Sequence, residues 1–256
     1  MISRSISAGI AAAILASPIA ASAADLNRGY KAPSYVAPVA GWGGFYAGLN
    51  AGYGFGSQDA TADTGPGTLA IFGYLPRTAS VSAKGIVAGG QLGYNYQFGS
   101  FLLGAEADLD YSAIKGTGAS TPTPVLFGST QTTFDRKMDY FGTLRGRAGY
   151  VITNPLLLYV TGGLAFGHVK DTASINVAPF PAGTLNGETS KTKFGWTLGG
   201  GVEWAVWSNW TVKGEYLYYD LGSTDVAMTG FGFPIPPVAH FKDNGHLVRL
   251  GVNYRF

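Results

Sequence analysis

The chain has 256 residues, no cysteine and a formal net charge of +2 at pH 7. That balance gives no field to steer it onto nucleic acid, and the missing cysteines exclude a thiol nucleophile and a disulfide scaffold. Only 12% of residues are charged, 14% are aromatic and 39 are glycine, about twice the usual glycine share, which suits a crowded sheet with lipid outside it better than an ordinary water-soluble domain.

The first predicted element is a targeting segment. Arg4 supplies a short positive region, Ile6 to Ala16 an apolar core, and Ala21-Ser22-Ala23 an A-x-A site, so residues 1–23 read as a signal peptide cleaved before Ala24. The apolar run is too short for an anchor, and no later stretch reaches the roughly 18 apolar residues that a membrane helix needs. Residues 24–42, with Pro33 and Pro38 and no periodicity, read as a flexible leader. Residues 43–256 read as one domain.

From Gly44 onward the period is two. The first strand is expected at Gly44–Gly56, with Phe45, Ala47, Leu49, Ala51, Tyr53 and Phe55 on one face and Tyr46, Gly48, Asn50, Gly52 and Gly54 on the other. The second is Lys84–Phe98, the third Phe101–Ser112, the fourth Met138–Val151 and the fifth Leu156–His168. The sixth is Phe194–Val206, the seventh Trp210–Leu221 and the eighth about Phe241–Phe256. In each, one face is aliphatic or aromatic and the other is small, polar or charged. In the fourth strand the alternation assigns Met138 and Tyr140 to the apolar outside and Asp139 to the inside.

The connections alternate in length. Gly99-Ser100, Thr153–Pro155 and Trp207–Asn209 are tight, whereas Ser57–Ala83, Ala113–Lys137, Val169–Lys193 and Gly222–His240 are long and rich in Gly, Thr, Pro and Ser. This predicts an all-β fold: an antiparallel up-and-down transmembrane barrel of eight strands, with short periplasmic turns and long extracellular loops. An even strand number places both ends, including the leader, in the periplasm. Aromatics cluster at the strand ends as an interfacial girdle would: Tyr94, Tyr96, Phe98 and Phe101 at one turn, Trp204, Trp207 and Trp210 at another.

The last strand ends on an aromatic, with Val252, Tyr254 and Phe256 on its apolar face. It resembles the closing strand of outer-membrane barrels, which implies the barrel-insertion machinery as a partner and these three residues as its assembly signal. Gly43-Gly44-Phe45-Tyr46-Ala47-Gly48, Tyr159-Val160-Thr161-Gly162-Gly163-Leu164-Ala165, Gly200-Gly201-Val202-Glu203 and Arg249-Leu250-Gly251-Val252-Asn253-Tyr254-Arg255-Phe256 together resemble the outer membrane immunogenic proteins, porin-like small eight-stranded barrels of Gram-negative bacteria. The resemblance covers Gly43 to Phe256 and implies location in the cell outer membrane, among its lipid and lipopolysaccharide. None of these motifs carries chemistry.

The inward charges are the candidate site. They comprise the acids Glu106, Asp108, Asp110, Asp139, Glu203 and Glu215 and the bases Arg145, Arg147, Lys213, Arg249 and Arg255. Counted from the short-turn ends, Glu106, Asp108, Arg145, Arg147, Glu203, Lys213, Glu215 and Arg249 fall at similar heights. That predicts a lumen ion-pair layer, because an eight-stranded barrel has room for side chains and little more. A structural barrel that supports the envelope and displays its loops follows. Spaced out and solvated, the same charges would line a narrow porin or small-ligand conduit, the competing reading. A rim enzyme acting on lipid would need a Ser and a His together; Ser174 or Ser190 near His168 could mimic that, but no spacing supports it. The expectation is therefore no enzyme, no cofactor and no metal, since His168, His240 and His246 show no convergent ligands.

Overall fold

The computed structural model describes residues 41–63, 77–125, 128–178, 184–229 and 238–256. The expected signal peptide, its cleavage site and residues 24–40 of the leader lie outside the described residues. Within them the chain forms β1 (Gly44–Asp63), β2 (Arg77–Phe98), β3 (Phe101–Ala119), a short β4 (Thr123–Val125), β5 (Gly128–Thr153), β6 (Leu156–Ala178), β7 (Leu185–Ala205), β8 (Trp210–Ala227) and β9 (Val238–Arg255). All pairings are antiparallel between neighbours, and β1 pairs with β9, from Tyr46 opposite Arg255 to Asp63 opposite Val238. The β3–β5 pairing completes the ring, so eight long strands close into a barrel and β4 hangs on β5 above it.

The closed ring leaves no edge strand, and its outside carries Phe45, Leu49, Leu92, Leu109, Leu144, Leu164, Leu198 and Leu250, all more than half exposed. An apolar exterior on a ring whose ladders run unbroken across the lower half of the barrel, as from Trp196 opposite Asp220 to Ala205 opposite Thr211, is the arrangement that hydrocarbon permits. The strands are longer than expected. At about 3.3 Å per residue and a tilt near 45°, the 20 residues of β1 rise roughly 45 Å, against an apolar band of about 25 Å. Much of what reads as loop in the sequence is therefore strand standing above the belt, outwardly polar, as at Ser82, Thr117 and Thr172.

Two bulges shift the inside–outside alternation. The β5–β6 ladder slips between Met138 and Tyr140, so Met138 faces the lumen and Asp139 turns outward, the reverse of strict alternation. The β8–β9 ladder slips between Asp220 and Ser223, where Gly222 adopts φ +82. β8 then continues, with Thr224 and Val226 inward.

The lumen is filled in layers. At the short-turn end Trp42, Leu102, Leu157 and Tyr159 form an apolar floor. Trp42, expected in the leader, is buried, bonds through its backbone N–H to Gln97 Oε1 at 2.7 Å, and lies 5.1 Å below the Arg255 guanidinium. Above the ionic residues sits a second apolar layer that includes Val87, Met138, Phe141, Leu217 and Leu247. A third, near the top, includes Val81, Phe134, Ile175, Val226 and Phe241. Three inward tyrosines lie across glycines on the next strand: a Cβ on Gly93 would meet the Tyr46 ring at 2.4 Å, on Gly201 the Tyr159 hydroxyl at 2.7 Å, and on Gly245 the Tyr219 hydroxyl at 2.6 Å. These glycines make room for the rings, which accounts for part of the glycine excess.

Candidate functional site: the charged layers of the lumen

The tight turns set the height of the lower layer. Phe98 is opposite Phe101 and Trp204 opposite Val212, so residues counted up from each turn are level with one another. Register pairing then puts Glu106 opposite Arg145, Glu203 opposite Lys213 and Glu215 opposite Arg249. The structure brings all eight predicted residues together, each buried.

Arg145 reaches Glu106 at 2.5 Å, Asp108 at 2.9 Å and Glu215 at 3.1 Å. Arg147 reaches Glu203 at 2.7 Å, and Lys213 reaches Glu106 at 2.8 Å. Arg249 crosses the lumen to Asp108 at 3.0 Å and Asp110 at 2.8 Å while holding Glu215 at 2.6 Å. Buried charge is tolerable only when paired and hydrogen-bonded on its remaining sites. That second set of bonds comes from neutral residues that the sequence placed inside the barrel without assigning them to the layer. The hydroxyls of Thr143 and Thr211 donate to Asp108 and Glu203, each at 2.5 Å. Tyr46 donates to Glu106 at 2.8 Å and Tyr159 to Glu215 at 3.0 Å. Asn253 donates to Glu203 at 3.0 Å, and the Arg147 guanidinium lies 4.2 Å over the Tyr159 ring. Asp110, predicted inward but left out of the layer, is part of it; Asp139, outside at the bulge, is not.

A second charged group lies higher and was not foreseen. Asp243 takes both Arg136 and Lys193, and Thr224 donates to it at 2.8 Å. Arg136 also donates to the Lys242 carbonyl at 2.6 Å. Asp171 is fully buried beside this group, register-paired with Arg136 and Thr189. Its outward neighbours are Lys170 and Thr172, so it sits above the apolar belt. Burial, with Asp243 close by, pushes its carboxyl up to about 7.

Of the rim candidates, Ser190 Oγ is 3.0 Å from His168 Nε2, a contact on paired strands that sequence spacing did not reveal. The other ring nitrogen faces the Thr192 hydroxyl at 3.3 Å rather than a carboxylate. A Ser–His pair normally uses a third group to orient the imidazole. Ser174 bonds Asn186 instead, at 2.9 Å. The three histidines do not converge: His240 bonds Asp225 at 2.7 Å and His246 the Tyr216 hydroxyl at 2.7 Å. Among the described residues no cluster of His, Asp or Glu could hold a metal. At the chain end, Val252, Tyr254 and Phe256 all point outward and exposed, with Tyr254 and Phe256 edge to face at 5.3 Å. The Phe256 N–H bonds the Phe45 carbonyl at 3.0 Å, so the last residue still belongs to the closing seam.

Comparison with known proteins agrees with this architecture. The family model for the outer membrane protein beta-barrel domain matches residues 9–256. The 31 kDa outer-membrane immunogenic protein of Brucella melitensis is 38% identical over 241 residues, covering 92% of this chain and 93% of that protein. The 22 kDa outer membrane protein of Rhizobium leguminosarum is 31% identical over 223 residues, 86% of this chain and 81% of that protein. Among solved structures, the outer membrane protein OprG of Pseudomonas aeruginosa superposes with a TM-score of 0.52 at 13% identity, covering 84% of this chain and 96% of that one, a likeness of fold alone. The chain belongs to the outer membrane protein β-barrel family, with the outer-membrane immunogenic proteins among its relatives.

Proposed function

We propose that this outer-membrane protein is a closed, non-enzymatic barrel that reinforces the envelope and presents its protruding strands and loops to the outside. The observation that carries the reading is the fill of the lumen. Glu106, Asp108, Arg145, Arg147, Glu203, Lys213, Glu215 and Arg249 interlock across it, between one apolar layer below and another above. A chain of paired charges bonded to one another leaves none of them free to guide an ion, and apolar layers on both sides oppose wetting. Val252, Tyr254 and Phe256 serve as the assembly signal, the insertion machinery is the transient partner, and the long-lived surroundings are outer-membrane lipid and lipopolysaccharide. Among the described residues the Ser190–His168 contact has no orienting carboxylate, and His168 Nδ1 faces the Thr192 hydroxyl, which supports a structural role there.

The deciding experiment is single-channel recording of refolded protein in a planar bilayer, with the Arg145→Ala/Arg147→Ala variant beside it. Wild-type protein should conduct weakly or flicker. The double substitution removes two of the four cations of the network, Arg145 and Arg147, and should raise conductance. A large, steady wild-type conductance that the substitutions leave unchanged overturns the closed-barrel reading and makes the protein a narrow porin.

A further inference from the structure

A row of lysines crosses the outer surface at the upper edge of the apolar belt. Lys84 on β2 is register-paired with Lys115 on β3, Lys115 with Lys137 on β5, and Lys137 with Lys170 on β6. All four side chains face outward on the exposed side of their strands. Like charges directly opposite one another across a ladder repel and destabilise the sheet. Three such pairs in succession give an isolated barrel nothing.

Relief from within the protein is partial. Asp139, turned outward by the β5 bulge, bridges Lys137 at 2.6 Å and Lys170 at 3.3 Å. Lys84 and Lys115 make no ion pair within 4 Å among the described residues. The row therefore keeps a surplus of positive charge.

Its height identifies the missing counter-charge. Below lie the outward Ile86, Tyr111, Tyr140 and His168, with Ala113 and Asp139 between them and the row on β3 and β5; directly above lie Ser82, Thr117, Asp135 and Thr172, which are water-facing. The lysines thus stand at headgroup level on the long-loop side, which faces the outer leaflet. Neighbouring strands are about 4.8 Å apart, so four lysines span roughly 15 Å, room for a headgroup with more than one phosphate. Ammonium groups donate well to phosphate oxygens, and the Tyr140 and Thr192 hydroxyls below, already bonded to each other at 2.8 Å, offer polar contacts suited to sugar.

We propose that Lys84, Lys115, Lys137 and Lys170 form a binding site for the phosphates of a phosphorylated outer-leaflet glycolipid, the lipid A part of lipopolysaccharide. The proposal rests on the outward orientation of the long-loop end adopted above, but not on a closed lumen.

The test uses the full refolded barrel in zwitterionic micelles. The probes are bis-phosphorylated lipid A, the same lipid after enzymatic dephosphorylation, and phosphatidylglycerol, with binding followed by native mass spectrometry and by the shift in unfolding midpoint. Wild-type protein should bind phosphorylated lipid A in preference to both other probes, and added salt should weaken it. Lys84→Gln/Lys115→Gln/Lys137→Gln/Lys170→Gln should lose affinity by on the order of a hundredfold. Lys242→Gln, exposed on β9 away from the row, should bind as wild type. Should the fourfold variant fold poorly, Lys84→Gln/Lys115→Gln leaves Asp139 and its partners intact and should lose about tenfold. Unchanged lipid A binding in the foldable lysine variant, or equal wild-type affinity for phosphatidylglycerol, overturns the site. A conducting wild-type barrel that still binds lipid A selectively would sink the closed-lumen reading alone.

Discussion

Two charged groups share one lumen, the lower inside the apolar belt and the upper above it. In the lower group each base is divided among several acids, as Arg249 is among Asp108, Asp110 and Glu215, and Arg145 among Glu106, Asp108 and Glu215. In the upper group one acid, Asp243, takes both bases, and Asp171 stands beside them without an ion pair among the described residues. The wall differs as well. Around the lower group every ladder is continuous, whereas the β7–β8 ladder ends at Trp196 opposite Asp220, and the Lys193 side chain above it is 14% exposed. Inside lipid a charge has only its neighbours, so the lower network must satisfy itself. Above the belt water reaches the gap, and a looser arrangement survives.

The comparison breaks most visibly if the lower network is cut. Arg249→Met leaves Asp108, Asp110 and Glu215 facing one another, and removing one member of a buried ion pair typically costs about 3–5 kcal/mol. The urea midpoint of the refolded barrel should fall accordingly, with loss of the fast-migrating form on unboiled gels. A loss below about 1 kcal/mol, the scale of an exposed pair, would mean that water already enters the layer. In the upper group Asp243→Asn strands Arg136 and Lys193, but solvent near Lys193 softens the effect to about 1–3 kcal/mol, the range for an unsatisfied buried polar group. If Asp243→Asn destabilised more than Arg249→Met in parallel titrations, the two groups would have to be ranked the other way round.

Among the described residues of the lower layer the acids Glu106, Asp108, Asp110, Glu203 and Glu215 face four bases, Arg145, Arg147, Lys213 and Arg249. Among the described residues Asp110 has a single ion pair, to Arg249. Asp110→Asn keeps the shape and removes one negative charge from the excess, so its midpoint should stay within about 1 kcal/mol of wild type. A loss as large as that of Arg249→Met would show that Asp110 carries a full share of the network.

How far each group could be read from the sequence follows from the strands beneath it. Most residues of the lower layer sit within about ten positions of a tight turn on stretches of unbroken alternation, so the facing and height of Glu106, Arg145, Glu203 and Lys213 can be read from the sequence. The upper group lies beyond the bulges. Asp139 reverses parity on β5, which put Met138 on the wrong face, and Gly222 does so on β8, which made the strand seem to end at Leu221. Segments such as Thr78-Ala79-Ser80-Val81-Ser82-Ala83 do alternate small apolar and polar residues, and their β-branched members favour strands. Their Gly- and Thr-rich flanks nonetheless read as loop. The Ser190–His168 contact was hidden for the same reason, because it depends on β7 continuing where a loop was expected.

The finest probe of the difference between the groups is Asp171. It is buried between the apolar layers that include Val169 and Ala173, with Arg136, Lys193 and Asp243 around it. Burial and the Asp243 charge together outweigh the two cations and push its carboxyl up to about 7, above the ~3.9 of an unfolded chain. The folded barrel therefore holds this proton more tightly than the unfolded chain does. The stability that the proton contributes is complete below about pH 4 and is lost as pH rises through about 7. Asp171→Asn preserves size and polarity but cannot ionise. The difference in urea midpoint, wild type minus Asp171→Asn, should thus fall from about pH 4 to about pH 7 and then level off, without the large offset expected for Arg249→Met. A difference that stayed flat over that range would mean that Asp171 is ionised throughout and that Arg136 pairs with it in solution. The upper group would then be a balanced network like the lower one, and the contrast between the two halves of the lumen would be lost.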